Sequence, residues 1–264
     1  MKILLTIFCL FCSLNSLYAT EFKGNFSQGS FILGKTDPGS RVIVDEKKIR
    51  VTEDGFFAFG LDRDRENDII IKVKKNNKLK VFKKKVIKRK YKIQRIDGLP
   101  PKQVTPPPEV FERIKKDNIL IGKARSIDSS YSFFKEKFIY PIDKYIITGV
   151  YGSQRILNGK PRRPHYGIDF HAPEGTPVKA MMDGEVTLVE NDMYFTGGTI
   201  IFDHGHGIST LFMHMKDINV KIGQKVKQGE IVGTLGQSGR ATGPHLDIRL
   251  NWFNIKLDPA TILN

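Results

Sequence analysis

The feature that most constrains this chain is the brevity of its apolar runs, which recur along most of its length and are each cut off by a turn. Phe31-Ile32-Leu33, Arg41-Val42-Ile43-Val44, Phe56-Phe57-Ala58-Phe59 and Ile69-Ile70-Ile71-Lys72-Val73 are rich in β-branched and aromatic residues. Asp37-Pro38-Gly39-Ser40, Glu53-Asp54-Gly55 and Lys75-Asn76-Asn77-Lys78 punctuate them as turns. From Phe138 onward the pattern resumes with Thr148–Ser153, Gly184–Val189 and Thr199–Phe202. Short strands at close spacing predict an all-β fold of sandwich or barrel type. Helical spacing shows in one place, where Val110, Ile114, Ile121 and Ala124 follow Glu109 and Glu112. A single helix is expected over 109–125, weakened by Asn118 and Gly122.

Composition shifts divide the chain. Residues 1–19 carry Lys2, an apolar stretch from Ile3 to Leu17, and Ala19 at a cut position, the pattern of a secretory signal peptide. Both cysteines, Cys9 and Cys12, fall inside it, so the mature chain is expected to hold no disulfide. Residues 20–90 read as a small β module without histidine or cysteine. Residues 91–137 read as a linker, stiffened by Pro100-Pro101 and Pro106-Pro107-Pro108, which could lie across a neighbouring groove. Residues 138–264 read as a second β domain.

The formal charge is +15, concentrated in runs such as Lys83-Lys84-Lys85 and Lys88-Arg89-Lys90. Such a surface attracts polyanions. Export excludes nucleic acid and leaves an anionic envelope surface as the expected partner of the basic module.

All histidines lie in the C-terminal half. His165 and Asp169 are four apart, and His245 and Asp247 two apart; on strands, both spacings place the pair on one face. Two strands could each present a pair of metal-type ligands. A hydrolytic zinc site needs three protein ligands and an open position. His214 could supply a base beside it. His204 and His206, in Asp203-His204-Gly205-His206-Gly207, read first as residues of a hairpin turn. Arg162, Arg163 and Arg240 could meet a substrate carboxylate.

Four segments then carry a resemblance. His165-Tyr166-Gly167-Ile168-Asp169, Ala172–Val178, Asp203–Gly207 followed by His214, and Thr242-Gly243-Pro244-His245-Leu246 stand in the order and spacing of the lysostaphin-type (LytM-like) zinc endopeptidases. The stretch from Ile142 to Pro259 resembles that family. With the leader and β module, the layout looks like family members of Gram-negative bacteria.

The resemblance implies a C-terminal β-sheet peptidase domain with a duplicated hybrid motif. It implies one zinc ion held by His165 and Asp169, and His214 and His245 as catalytic residues flanking the attacking water. It also implies peptidoglycan as substrate, cut in its stem peptides or crosslinks, and export across the inner membrane to the periplasm or cell envelope. The chain departs from the family where a third histidine ligand is usual: it has Asp247. Three readings follow: Asp247 is the third ligand, the site keeps only two, or His171 or His206 substitutes. An incomplete site would suit a non-catalytic regulator that activates a wall amidase, or a wall-binding scaffold.

Overall fold

The computed structural model describes residues 19–100 and 104–263; the leader lies outside them except for Ala19. The chain is nearly all-β. Its N-terminal strands are β1 (Glu21–Lys23), β2 (Phe31–Lys35), β3 (Arg41–Val44), β4 (Lys47–Ile49), β5 (Phe56–Gly60), β6 (Ile69–Lys75) and β7 (Lys78–Lys84). They form a three-stranded sheet, β1-β2-β5, and a four-stranded sheet, β4-β3-β6-β7. Alternation builds both: Ile69, Ile71 and Val73 of β6 point inward and Ile70, Lys72 and Lys74 outward.

The proline-rich region is more structured than a linker reading implies. It contributes β8 (Ile93–Ile96), which pairs in parallel with β10 (Gln154–Leu157). A 3₁₀ turn over Pro108–Val110 then leads into an α-helix, α1 (Phe111–Arg125). Proline at the head of this turn suits a helix start, where no amide partner is needed.

The C-terminal strands are β9 (Ile146–Gly149), β11 (Lys160–Pro161), β12 (Ile168–His171), β13 (Pro177–Lys179), β14 (Gly184–Met193) and β15 (Gly197–Gly205). They continue with β16 (Ile208–Ile218), β17 (Lys225–Val226), β18 (Ile231–Leu235), β19 (Leu246–Trp252) and β20 (Ile255–Leu257). The main sheet runs β17-β14-β15-β16-β19-β12-β9, with β13, β18 and β20 attached at its sides. Every residue of β15 is buried. One face carries Ile200 and Phe202 into the main core, and the other carries Ile201 into a smaller cluster with Ala124 of α1. Burial on both faces explains why this strand reads as a continuous apolar run.

The β15–β16 hairpin turns at His206-Gly207, with φ of +53° and +76°, the paired positive values of a type I′ turn. The core is continuous between the N- and C-terminal strands. Phe59 meets Trp252 edge-on at 6.5 Å. Buried Asp258 pairs with Arg89 at 2.8 Å.

Candidate metal centre and active site

The site is assembled at the β12–β19 pair. Asp169 on β12 and Asp247 on β19 stand directly opposite each other in antiparallel register. Their strand neighbours make room for them. A Cβ on Gly149 would lie 2.1 Å from Asp169 Oδ2, and one on Gly167 would lie 2.2 Å from Asp247 Oδ1. Both glycines are therefore fixed by close approach to a carboxylate.

The two histidines expected on these strands lie just before them. His165 precedes β12 and is held by backbone bonds, its N–H to Ser153 O (2.8 Å) and its carbonyl from Gly152 N–H (2.7 Å). His245 immediately precedes β19. Each follows a proline, Pro164 or Pro244, which lacks the amide needed to extend a ladder. The shared-face argument thus holds for neither pair as stated, and loop geometry delivers the side chains instead.

His165, Asp169 and Asp247 each offer a ligand atom, and these atoms lie within 4.8 Å of one another. His165 Nε2 is 3.0 Å from Asp169 Oδ1 and 3.4 Å from Asp247 Oδ2. The ring N–H is aimed at Asp247, so Asp169 Oδ1 stays buried without a hydrogen-bond donor despite the shorter distance. Two carboxylates directly opposite each other repel. A cation between them removes that cost, and an orphaned carboxylate oxygen beside an imidazole is the donor set a divalent metal of borderline softness takes. The residues fit such an ion. His171 lies outside this group: it is exposed, and its Nδ1–H donates to Pro244 O (2.8 Å). His206 sits at the hairpin turn, its ring 4.7 Å from that of Phe134.

Two arginines pair with the carboxylates. Arg155 Nη2 donates to Asp169 Oδ2 (3.1 Å) and Arg249 Nη2 to Asp247 Oδ2 (3.0 Å). Burial opposes ionisation of Asp247, but Arg249 and His165 hold its carboxyl well below the usual range. Burial likewise opposes a charged His165, and the nearby Asp247 and Asp169 outweigh it and raise its pKa. Sequence reasoning did not single out these arginines. Arg249 stands two residues after Asp247 on the same strand face, and that alternation was the available signal.

The rings of His214 and His245 lie 4.7 Å apart, centroid to centroid, tilted at 52° to each other. His214 Nδ1–H donates to Ser238 O and His245 Nδ1–H to Gly243 O, both at 2.8 Å. These carbonyls fix the tautomer and leave each Nε2 with its lone pair. His245 Nε2 comes within 3.9 Å of Asp169 Oδ1. Burial pulls the His214 pKa down to about 4, so its ring is neutral at pH 7. Its backbone sits at φ +64°, a strained conformation for a residue other than glycine. Both imidazoles line a cleft with Asp169 and Asp247, walled by Arg155, Arg240 and Arg249 and by Ile96 and Leu99 of the proline-rich segment. Leu99 is tied to Asn158 by two hydrogen bonds, 3.1 and 2.7 Å. Arg162 is held by Thr105 at 3.0 Å. His204 is remote in role: fully buried, it donates to Asp183 O and accepts from Thr210 Oγ1, both at 2.8 Å.

A histidine and two carboxylates converging in a cleft, beside two imidazoles of fixed tautomer, form the layout of a metallohydrolase. Comparison with known proteins makes the class specific. Residues 163–259 match the model of Peptidase family M23. The peptidoglycan DD-endopeptidase ShyA of Vibrio cholerae is 40% identical over 113 residues, covering 42% of this chain and 26% of ShyA. This chain therefore spans about a quarter of that relative's length. The catalytic domain of lysostaphin from Staphylococcus simulans is 33% identical over 44% of this chain and 90% of that domain, with a TM-score of 0.40. A Pseudomonas aeruginosa crystal structure assigned to peptidase M23 is 24% identical, covers 90% of this chain and 94% of its own, and has a TM-score of 0.68, which shows a shared fold. Residues 163–259 thus form a domain of Peptidase family M23, of the lysostaphin (LytM) type.

Proposed function

We propose that this chain is a zinc-dependent endopeptidase that hydrolyses peptide bonds in the stem peptides or crosslinks of peptidoglycan, after export to the periplasm or cell envelope. The observation that carries it is the convergence of His165, Asp169 and Asp247 within 4.8 Å of one another, with the two carboxylates lining the cleft that His214 and His245 share. His165 Nε2, Asp169 Oδ1 and an oxygen of Asp247 would hold the ion. Zinc bound there supplies Lewis-acid activation of water and of the scissile carbonyl.

The chain's own residues do the rest. With Nδ1–H committed to a carbonyl, His214 presents Nε2 as a proton acceptor; burial makes its protonated form acidic and quick to hand the proton to the leaving amine. His245, oriented in the same way by Gly243, can donate or accept at Nε2 toward the carbonyl oxygen as negative charge develops there. With Arg155 and Arg249 paired to the two carboxylates, Arg240 leaves the cleft wall net positive, which suits stem peptides bearing carboxylates. The M23 match of residues 163–259 and the activity named for ShyA support the substrate class.

One observation favours a second reading. The ion pairs of Arg155 and Arg249 neutralise both ligand carboxylates without a metal, which would suit a regulator that activates a wall amidase. The test is zinc content and sacculus hydrolysis by the purified mature chain and its His245→Ala variant. Stoichiometric zinc with chelator-sensitive cleavage, lost in the variant while zinc is retained, is the expected result. No zinc and no cleavage by the parent chain overturns the enzyme reading in favour of the regulator.

A further inference from the structure

The lysine-rich stretch that begins at Lys72 plays no part in the cleft, and the strand register shows what it builds. In the sheet β4-β3-β6-β7, residues directly opposite each other share a face. On the outer face Lys72 stands between Ile43 and Val81, and Ile43 is in turn opposite Lys48. Lys74 stands between Arg41 and Leu79, and Ile70 is opposite Lys83. The face therefore interleaves five cations with four aliphatic side chains. Its carboxylates lie at one end only: Asp45, which bonds the Ile70 amide and is paired with Arg65, and Asp68 near Lys83.

Two properties mark this as more than a solvated sheet. Arg41 lies directly opposite Lys74, a like-charge pair that costs stability unless an anion covers it. Of the five cations, only Lys83 has a described carboxylate nearby, Asp68 at 3.7 Å. In addition, Ile70, Leu79 and Val81 are 38%, 56% and 56% exposed between the lysines. A hydrated polyanion would pair with the ammonium groups and leave these aliphatic groups in water. A lipid surface takes both: headgroup phosphates meet the lysines, and short apolar side chains settle at the boundary with the acyl region. Lysine stems reach past that boundary and keep their charges at the headgroups. No helix of the described residues is long and apolar enough to cross a membrane.

We propose that the outer face of the β4-β3-β6-β7 sheet docks this protein onto an anionic lipid bilayer, through its cations and its interleaved aliphatic side chains together. This inference stands on the sheet alone and does not depend on the chemistry of the cleft.

The test is co-sedimentation of the full mature chain with phosphatidylcholine vesicles, and with the same vesicles containing phosphatidylglycerol, at low and high salt. Binding is expected only to the phosphatidylglycerol vesicles and is expected to weaken with salt. The Lys72→Glu/Lys74→Glu variant should bind at least about 25-fold more weakly, at about fivefold per cation removed. The Leu79→Ser/Val81→Ser variant should also lose affinity while keeping its salt dependence. All four positions are exposed, and circular dichroism checks that both variants fold. No binding to phosphatidylglycerol vesicles, or equal binding by the lysine variant, overturns the proposal. So does full binding by the aliphatic variant, which would assign the face to a charged wall polymer.

Discussion

The Asp247→Asn substitution separates the metal-binding role of this residue from its structural one. Asparagine keeps the shape and removes the charge. In the metal-free protein two effects oppose each other. The change relieves the repulsion from Asp169 directly opposite, and it deprives Arg249 and His165 of their partner. Arg249 is 25% exposed at its side chain and can turn to water, so the metal-free melting temperature should move little. Metal binding has no such escape. A zinc site worth about 10–16 kcal/mol, shared among three ligands, gives about 3–5 kcal/mol for each, or roughly 10²–10⁴-fold in Kd. The assay is competition for zinc against a chelating dye, with thermal melts of the metal-free protein alongside. Asp247→His should recover most of the affinity, and His171→Ala should leave it unchanged, because His171 is turned to Pro244. Zinc affinity within a few-fold of the parent in Asp247→Asn would refute the ligand assignment and the reasoning from strand register behind it.

Three further outcomes follow from the same geometry. Arg249→Gln should weaken zinc binding by about 10–100-fold, the usual effect of removing a group that orients a ligand; combined with Asp247→Asn it should add almost nothing further, read by the same dye competition. Gly167→Ala should cost about 1–3 kcal/mol of stability in denaturant melts and also impair zinc binding, because the new methyl collides with Asp247 Oδ1 and the Ile248 carbonyl; Gly243→Ala, which meets nothing within 4 Å, is the control. The third concerns pH. Burial depresses the folded pKa of His204 from 6.5 to about 4, so between those values the unfolded chain binds the extra proton. Stability should be fully present above pH 6.5 and fall as pH drops toward about 4, by about 3 kcal/mol for this residue. His204→Gln, whose amide can both donate to Asp183 and accept from Thr210, should make that limb shallower in urea titrations across this range; His206 and His214, also lowered to about 4 by burial, would keep the rest of the slope.

How legible this molecule was in its sequence depends on where the information lies. Strands whose apolar alternation is strong were readable: Arg41–Val44 and Ile69–Val73 coincide with β3 and the body of β6. The strand β7 was not, because Lys78-Leu79-Lys80-Val81-Phe82-Lys83-Lys84 turns only Phe82 toward the core and otherwise reads as a basic run. The strand β8 was not, because what makes it a strand is a partner some sixty residues away, β10, and no local pattern encodes that pairing. At the site, residue types and spacing brought His165, Asp169 and Asp247 under suspicion. Spacing could not say that prolines would push both histidines off the strands, nor that Gly149 and Gly167 exist to leave room for carboxylates.

The arginines change how the aspartate at position 247 should be understood. A histidine ligand is neutral and needs no counter-charge, whereas an aspartate in the same position stands opposite another aspartate on the neighbouring strand. That arrangement would be costly in the metal-free chain, and Arg155 and Arg249 each pair with one carboxylate. The two pairings differ. Arg155 takes only Oδ2 of Asp169 and leaves Oδ1, 3.0 Å from His165 Nε2, without a hydrogen-bond donor. Arg249 reaches both oxygens of Asp247, including Oδ2, which stands 3.4 Å from His165 Nε2. A metal at this site would therefore meet a free oxygen on Asp169 but would share Asp247 with Arg249, which is why the zinc affinity of the Arg249 and Asp247 variants is decisive.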